Sequence, residues 1–199
     1  MYLWSKRIFD LLISLVVLVF LLPVLVLIAA VIRFDSRGSA FYRGGRIGKE
    51  GKPFMMLKFR TMVINADKMG PASTADDDHR ITRVGRLLRK YKFDELPQLL
   101  NVLKGEMSFV GPRPEVQRFV DMYTEEEKAI LSVQPGITDW ASLWNVDEGA
   151  LLAGSVDPDR DYVEKIRPEK IRLQLKYVRE RSFGTDIKII FQTIKAIVS

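Results

Sequence analysis

The length, composition and charge of this chain exclude several classes of protein. Its 199 residues suffice for one domain with a sizeable core, and 47% apolar with 28% charged residues excludes a disordered chain. With no cysteine and only one histidine, His79, a disulfide framework, a thiolate metal site and a multi-histidine metal site are excluded. Any metal would be held by oxygen atoms, which favours a hard cation such as Mg²⁺. The net charge of +6 favours an anionic partner.

The segment from Leu11 to Ile32 is apolar, uncharged and long enough to cross a bilayer as a helix. Basic residues flank it on both sides (Lys6, Arg7, Arg33 and Arg37). A simple span would place one of these flanks on the wrong side of the membrane. Pro23, near the middle, removes a backbone hydrogen bond. Two interpretations stay open: a re-entrant segment that bends at Pro23 and returns to the same face, and a single span that tolerates the proline.

A β-hairpin is predicted after this segment, with strands at Ser39–Arg43 and Phe54–Arg60 and a glycine-rich basic turn between them. The turn does not fit the phosphate-binding P-loop pattern, because Glu50 stands where that pattern needs Ser or Thr. A polar loop follows at Met69–Asp78. Its three consecutive aspartates suit a solvated loop better than a metal site, since metal ligands must converge from a folded frame.

A basic amphipathic helix is predicted at Ile81–Tyr91. Its basic face suits anionic lipid headgroups, a substrate phosphate or plain solvent. Aromatic residues do not alternate with the basic ones as stacking on nucleic acid would need. Given the apolar segment, membrane lipids and phosphate ligands are therefore the expected anionic partners, and nucleic acid is not.

The segment Phe93–Gly105 is the most informative part of the chain. Leucines at helical spacing predict an amphipathic helix that ends at Gly105. Because Pro97 belongs in a first turn, Asp94 is predicted at or near the N-cap, where the helix dipole keeps a carboxylate ionised and attracts phosphate. Asp94, with Glu95 beside it, would then suit a phosphoryl-accepting nucleophile screened by a cation. A plain capping role is the competing interpretation, and this segment alone favours it.

Arg113 lies in the stiff segment Gly111–Pro114, where flanking prolines limit the entropy lost when a guanidinium binds an anion. A rigid structural loop is the alternative. Two further helices are predicted, from Pro168 and from about Asp186, which is expected to be an N-cap. The apolar face of the second suits either the membrane interface or the core.

Several long motifs follow one another in a distinctive order along nearly the whole chain. Besides the basic-flanked segment with Pro23, they are Lys58–Met62, Arg80–Arg86, Asp94–Leu99, Asn101–Ser108, Gly111–Pro114 and Pro135–Thr138. Together they resemble the small monotopic phosphoglycosyl transferases, the catalytic unit of the bacterial sugar transferase family.

The resemblance implies an α/β fold, mostly helical with a small β-hairpin. Residues 1–37 would form a re-entrant, helix-break-helix membrane anchor broken at Pro23, and residues 38–199 the catalytic domain, with amphipathic helices at the membrane interface. The implied reaction moves a sugar 1-phosphate from a UDP-sugar to polyprenol (undecaprenyl) phosphate and releases UMP, as the first membrane step of bacterial glycoconjugate synthesis. It would take place at the cytoplasmic face of the bacterial inner membrane. A homodimer is a further partner to test.

The resemblance also implies roles for individual residues. Asp94 would be the nucleophile that forms a covalent phosphosugar intermediate, with Glu95 as its dyad partner and Mg²⁺ bridging Asp94 and the diphosphate. Arg89 and Arg113 would hold phosphate groups. Further candidates for support of the site are Asp186, Thr61 and Lys58.

Two departures from the family pattern limit what can be transferred. Leu22 precedes Pro23 where the family usually has Ser, which removes a hydroxyl able to satisfy freed backbone groups. After Thr138 the chain continues as Asp139–Glu148 in place of a glycine-rich stretch near the expected sugar nucleotide, so the identity of the sugar is not inferred. Two rival functions remain: a membrane-tethered interaction protein without catalysis, and a phosphatase with an aspartyl nucleophile.

Overall fold

A computed structural model describes residues 2–198 of the chain. The helices within this range are α1 (Tyr2–Asp35), α2 (Arg83–Lys90), α3 (Gln98–Lys104), α4 (Gln117–Val120), α5 (Trp140–Trp144), α6 (Glu148–Leu151), α7 (Pro158–Asp161), α8 (Arg167–Glu180) and α9 (Phe183–Val198). The strands are β1 (Phe41–Ile47), β2 (Pro53–Phe59), β3 (Ser108–Val110) and β4 (Gly136–Thr138). The predicted fold class, mostly helical with a small hairpin, is confirmed.

The predicted hairpin forms from β1 and β2, which pair antiparallel with Phe41 opposite Phe59 and Ile47 opposite Pro53. The turn is shorter than predicted, because β1 continues through Gly44 and Gly45. The last hydrogen bond before the turn is donated by the Gly48 N–H to the Lys52 oxygen, at 2.9 Å. The hairpin presents Lys58, near the end of β2, to the segment that carries Asp94 and Glu95.

A second, parallel pair of strands was not predicted. Ser108 of β3 lies opposite Gly136 of β4, and Val110 opposite Thr138. Gly111 directly follows β3, and its backbone lies so close to β4 that a Cβ on Gly136 would clash with it. Three-residue strands leave too short a pattern of alternation to detect in a sequence. Their pairing fixes where the loop carrying Arg113 leaves β3.

Helix α1 is continuous through Pro23. The proline therefore lies inside a helix, and any change of direction there is a bend rather than the unwound break that the resemblance implies. The helix is long and apolar enough to cross a membrane, and most of its apolar side chains are exposed.

Both ends of α1 contact the rest of the chain. Near the start, the Arg7 guanidinium donates to the Val102 and Leu103 oxygens in the last turn of α3, at 2.6 and 2.9 Å. Gly105 ends α3 in the left-handed conformation (φ 83°), as predicted. Near its end, Ile32 is buried with hydrophobic residues of the hairpin and α2.

Candidate active site

Asp94 and Glu95 lie in a 3₁₀ turn, Phe93–Glu95, that leads into α3. Asp94 was predicted at or near the N-cap of the following helix; α3 begins at Gln98 with Pro97 as its N-cap, so Asp94 lies three residues before the cap. Pro97 has no N–H to donate, and the preceding residues instead close a tighter turn in which the Leu96 N–H donates to the Phe93 oxygen at 3.3 Å. The dyad is thus held by a turn before the helix rather than by the helix terminus.

Glu95 is bound by two cations. Its Oε1 lies 2.9 Å from Lys58 Nζ, and Arg113 forms a two-pronged contact, with Nη1 at 2.9 Å from Oε2 and Nη2 on Oε1. Burial pushes the pKa of the Glu95 carboxyl upward, but the charges and hydrogen bonds of Arg113 and Lys58 outweigh it and hold that pKa below its usual range. Glu95 is therefore a fixed anion whose oxygens are already engaged.

Asp94 differs from its neighbour in both pairing and pKa. Its side chain is buried, and within residues 2–198 its carboxylate accepts no hydrogen bond; the Lys58 ammonium is 3.8 Å away. Burial raises its pKa above the usual range and the Glu95 charge adds to this, although Lys58, Arg89 and Arg113 act in the opposite direction. The ionised form of Asp94 is thus favoured by side-chain cations and not, as predicted, by the N-terminus of a helix.

Arg89 projects from α2 close enough to Asp94 for its charge to favour the aspartate anion. Its Nη1 is buried and has no hydrogen-bond partner among the described residues. A buried, unpaired guanidinium nitrogen costs free energy unless a ligand or water satisfies it. Arg89 therefore offers a free donor beside the dyad.

Thr61 supports Arg89 from a distance, through the start of α2. Its backbone oxygen accepts from the N–H of Thr82, the N-cap of α2, at 3.0 Å. Helix α2 and the segment after β2 approach so closely that a Cβ on Gly85 would clash with this same oxygen. These contacts fix the position of the helix that carries Arg89.

Asp186 joins the two ends of the chain. Its Oδ2 accepts from the Tyr2 hydroxyl and the Lys6 ammonium of α1, both at 2.8 Å, and its Oδ1 accepts from the Tyr177 hydroxyl of α8 at 2.8 Å. It is not the predicted N-cap of α9, which begins three residues earlier. Its described hydrogen bonds thus hold α1 against α8 and α9 rather than meeting the dyad.

The residues around the dyad fit a magnesium ion in one arrangement. No group of three or more Asp, Glu, His or Cys side chains suited to a metal occurs in the described part of the chain. Mg²⁺ commonly takes only one or two protein carboxylates and completes its shell with substrate phosphates and water. Since the oxygens of Glu95 are occupied by cations, Asp94 is the carboxylate with free capacity.

Two residues behind Arg113 were missed by sequence reasoning. Asp139 and Gln174 are completely buried and bind the main chain of Arg113. They lie 26 and 61 residues from it along the chain, and neither is part of a recognisable local catalytic pattern. No sequence signal could have paired them with Arg113.

Comparison with known proteins identifies the family of this chain. A family model described as "Bacterial sugar transferase" matches residues 1–199. The exopolysaccharide production protein ExoY of Sinorhizobium fredii is 38% identical, over 97% of this chain and 85% of its own length. An undecaprenyl-phosphate glucose phosphotransferase of Komagataeibacter xylinus is 41% identical over 96% of this chain. A UDP-glucose:undecaprenyl-phosphate glucose-1-phosphate transferase of Escherichia coli is 37% identical over 95%. The chain spans only 35% and 39% of the lengths of these last two. It belongs to the bacterial sugar transferase family.

Proposed function

We propose that this protein transfers a sugar 1-phosphate from a UDP-sugar to undecaprenyl phosphate and releases UMP, through a covalent intermediate on Asp94. The observation that carries the proposal is the difference between the two adjacent carboxylates. Glu95 is bound by Lys58 and Arg113, whereas Asp94 accepts no hydrogen bond within the described residues. Relatives named as sugar-phosphate transferases acting on undecaprenyl phosphate support the substrate class.

In the first step, an Asp94 oxygen attacks the phosphorus that bears the sugar. The bond from that phosphorus to the bridging oxygen of the diphosphate breaks, and its electron pair leaves with UMP. Lys58 and Arg89 favour the Asp94 anion, which is the attacking form. The raised pKa makes Asp94 a stronger nucleophile than an ordinary aspartate once it is ionised. Asp94 would hold a Mg²⁺ ion, whose charge would offset the repulsion between the carboxylate and the diphosphate.

In the second step, a phosphate oxygen of the lipid attacks the same phosphorus and displaces the Asp94 carboxylate. The product is a polyprenyl diphosphate sugar, and the enzyme regains its free carboxylate. Arg89, with its unpaired Nη1, and Arg113 would hold phosphate oxygens in both steps. Glu95 keeps Lys58 and Arg113 in place, so that their charge surrounds the reacting phosphorus.

The contacts of α1 support a re-entrant anchor. Arg7 and Ile32, which contact the catalytic body near opposite ends of α1, would be about 37 Å apart on a straight helix. A straight crossing of the hydrocarbon core, about 30 Å thick, would put these contacts on opposite sides of the membrane. One body cannot meet both, which supports the proposal that α1 enters and leaves by the same, cytoplasmic face and bends near Pro23.

Exposed apolar side chains on other helices support a position of the protein at the membrane interface. On and after α2 these are Leu87, Tyr91 and Phe93, which lie among basic residues, and on α9 they are Ile187, Phe191 and Ile194. Such faces insert into the headgroup boundary of an anionic membrane. The dyad follows Phe93 directly, which would place it where a lipid phosphate and a soluble nucleotide can meet.

The topology is tested with cysteines introduced before residue 7 and after residue 37. Both should react only with a reagent applied from the cytoplasmic side. Labelling from opposite sides would establish a span. Replacing Pro23 with Ala should shift the protein toward spanning, because the helix could then continue straight.

The activity is tested by UMP release against a panel of UDP-sugars, with Mg²⁺ and undecaprenyl phosphate. Without lipid, the peptide containing Asp94 should gain the mass of a sugar phosphate. An interaction protein would release no UMP. A phosphatase would form products without any dependence on lipid. Product that forms only with lipid, and with no adduct under rapid quenching, would replace the covalent mechanism by direct transfer.

A further inference from the structure

The backbone of Pro112-Arg113-Pro114 has few hydrogen-bonding groups of its own. Neither proline has an N–H, so the amide of Arg113 is the only main-chain donor in the three residues. The Pro112 oxygen accepts from the Gly136 N–H at 3.0 Å. The N–H and the oxygen of Arg113 itself must be satisfied by other means, since buried backbone groups rarely stay unpaired.

Asp139 satisfies the amide of Arg113. Its Oδ2 accepts from the Arg113 N–H at 3.2 Å, and its Oδ1 accepts from the N–H and the hydroxyl of Ser142, at 2.7 and 2.8 Å. The second pair of bonds caps α5. One buried carboxylate thus joins the Arg113 loop to the helix that follows β4.

Gln174, from α8, satisfies the oxygen of Arg113. Its Nε2 donates to that oxygen at 3.2 Å and to Asp139 Oδ2 at 3.3 Å. Both side chains are fully buried. The two main-chain polar groups of Arg113 are therefore held by two side chains that also bind each other.

We propose that Asp139 and Gln174 are positioning residues for Arg113. They fix the main chain from which the guanidinium extends, and Glu95 fixes its far end, so that the side chain is held at both ends with little freedom left to lose on binding a phosphate. The inference rests on the proposed function. A shift of about 1 Å in such a group can cost about a hundredfold in rate, so loss of the main-chain support should be measurable.

Hydrogen exchange tests the support directly. In Asp139→Asn, the side chain can still cap α5 through its remaining oxygen. Its NH₂ group, however, would face the Arg113 N–H and Gln174 Nε2, which both donate to Oδ2 in the native protein. Because both neighbours are prolines, overlapping peptides isolate the Arg113 amide. Its exchange should speed up roughly tenfold or more, as for a lost hydrogen bond to a charged acceptor. Asp157→Asn, which changes another N-cap of the same type, the exposed Asp157 before α7, should leave it unchanged.

Kinetics distinguish positioning from a general structural role. Asp139→Asn and, as a second variant, Gln174→Met should each lower kcat for UMP release by about tenfold or more in the native background. In an Arg113→Ala background neither should lower the residual rate further. Equal losses in both backgrounds, or an unchanged Arg113 amide in Asp139→Asn, would overturn the inference. If the unaltered protein released no UMP from any UDP-sugar, the proposed function would fail, while the exchange measurement would still decide the support of Arg113.

Discussion

Two buried ionic clusters in this protein are built from similar residues and differ in how completely they are paired. In the first, around Asp94 and Glu95, one carboxylate accepts no hydrogen bond and one nitrogen of Arg89 has no partner within residues 2–198. In the second, Glu115 Oε1 accepts from the Lys170 ammonium at 2.6 Å and the Tyr162 hydroxyl at 2.5 Å.

The second cluster closes on itself, because Lys170 also donates to the Tyr162 hydroxyl at 3.0 Å. Burial raises the pKa of Glu115, but Lys170 and Tyr162 outweigh it and leave that pKa lowered. A closed cluster supports structure, while groups left unpaired in a buried place cost free energy and indicate a binding or reacting site. The comparison therefore predicts opposite responses to mutation in the two clusters.

The largest effect on activity is expected from Asp94→Asn. The substitution should abolish both the phosphosugar adduct and turnover, because the amide cannot attack phosphorus. Stability should be retained, because the carboxylate it replaces is buried without a hydrogen bond from any described residue and its charge is costly there. Mass spectrometry and thermal unfolding in detergent measure the two effects. Asp157→Asn is the matched control, and an adduct that still forms in the Asp94→Asn variant would exclude Asp94 as the nucleophile.

The largest effect on stability is expected from Lys170→Met. Glu115 would remain buried without its cation, which costs about 3–5 kcal/mol of unfolding free energy. The folded fraction should keep a nearly native kcat. Because the pKa of Glu115 is lowered in the native protein, the stabilisation is present above its unfolded pKa and is lost as pH falls through the folded value. The difference in unfolding free energy between the variant and the native protein should therefore become smaller at acidic pH.

A second substitution checks that explanation. Adding Glu115→Gln to Lys170→Met removes the unpaired charge and should recover part of the lost stability. Urea or thermal unfolding compares the three proteins. If the double variant is as unstable as Lys170→Met, the unpaired carboxylate is not the cause.

A smaller loss of activity is expected from Arg113→Lys. The charge remains, but a lysine cannot make the two-pronged contact with Glu95. Turnover should fall by roughly tenfold to a hundredfold, with little change in thermal unfolding. Near-normal kinetics in Arg113→Ala would remove this arginine from the site.

The smallest effect is expected from Lys58→Met, and it concerns pH. Among the charges around Asp94, that of Lys58 lowers its pKa the most, so removing it should raise the pKa further. Asp94 must lose its proton to attack, and the acid limb of the rate of adduct formation should therefore move to higher pH. A single-turnover pH profile measures this. A limb that stays in place, or moves to lower pH, would contradict the role given to Lys58.

Much of the fold could be predicted from short patterns. The hairpin, the basic helix α2 and the glycine that ends α3 depend on neighbours a few residues apart, and all three were found. The parallel pair β3–β4 was not, because its strands are short and its partners lie far apart in the chain. Asp94 was expected at or near an N-cap and lies in a 3₁₀ turn before α3, and Asp186 was expected to be an N-cap and lies inside α9.

The sequence by itself determined the family, the long apolar N-terminal segment and the residue types at the dyad, because these follow from motif order, composition and local spacing. Only the tertiary structure decided which of the two carboxylates is free, since Lys58 and Arg113 reach Glu95 from distant segments. It also decided that both ends of α1 meet one body and that Asp139 and Gln174 hold Arg113. These properties depend on burial and on charges brought together by folding, and a linear pattern does not record which distant side chains will meet.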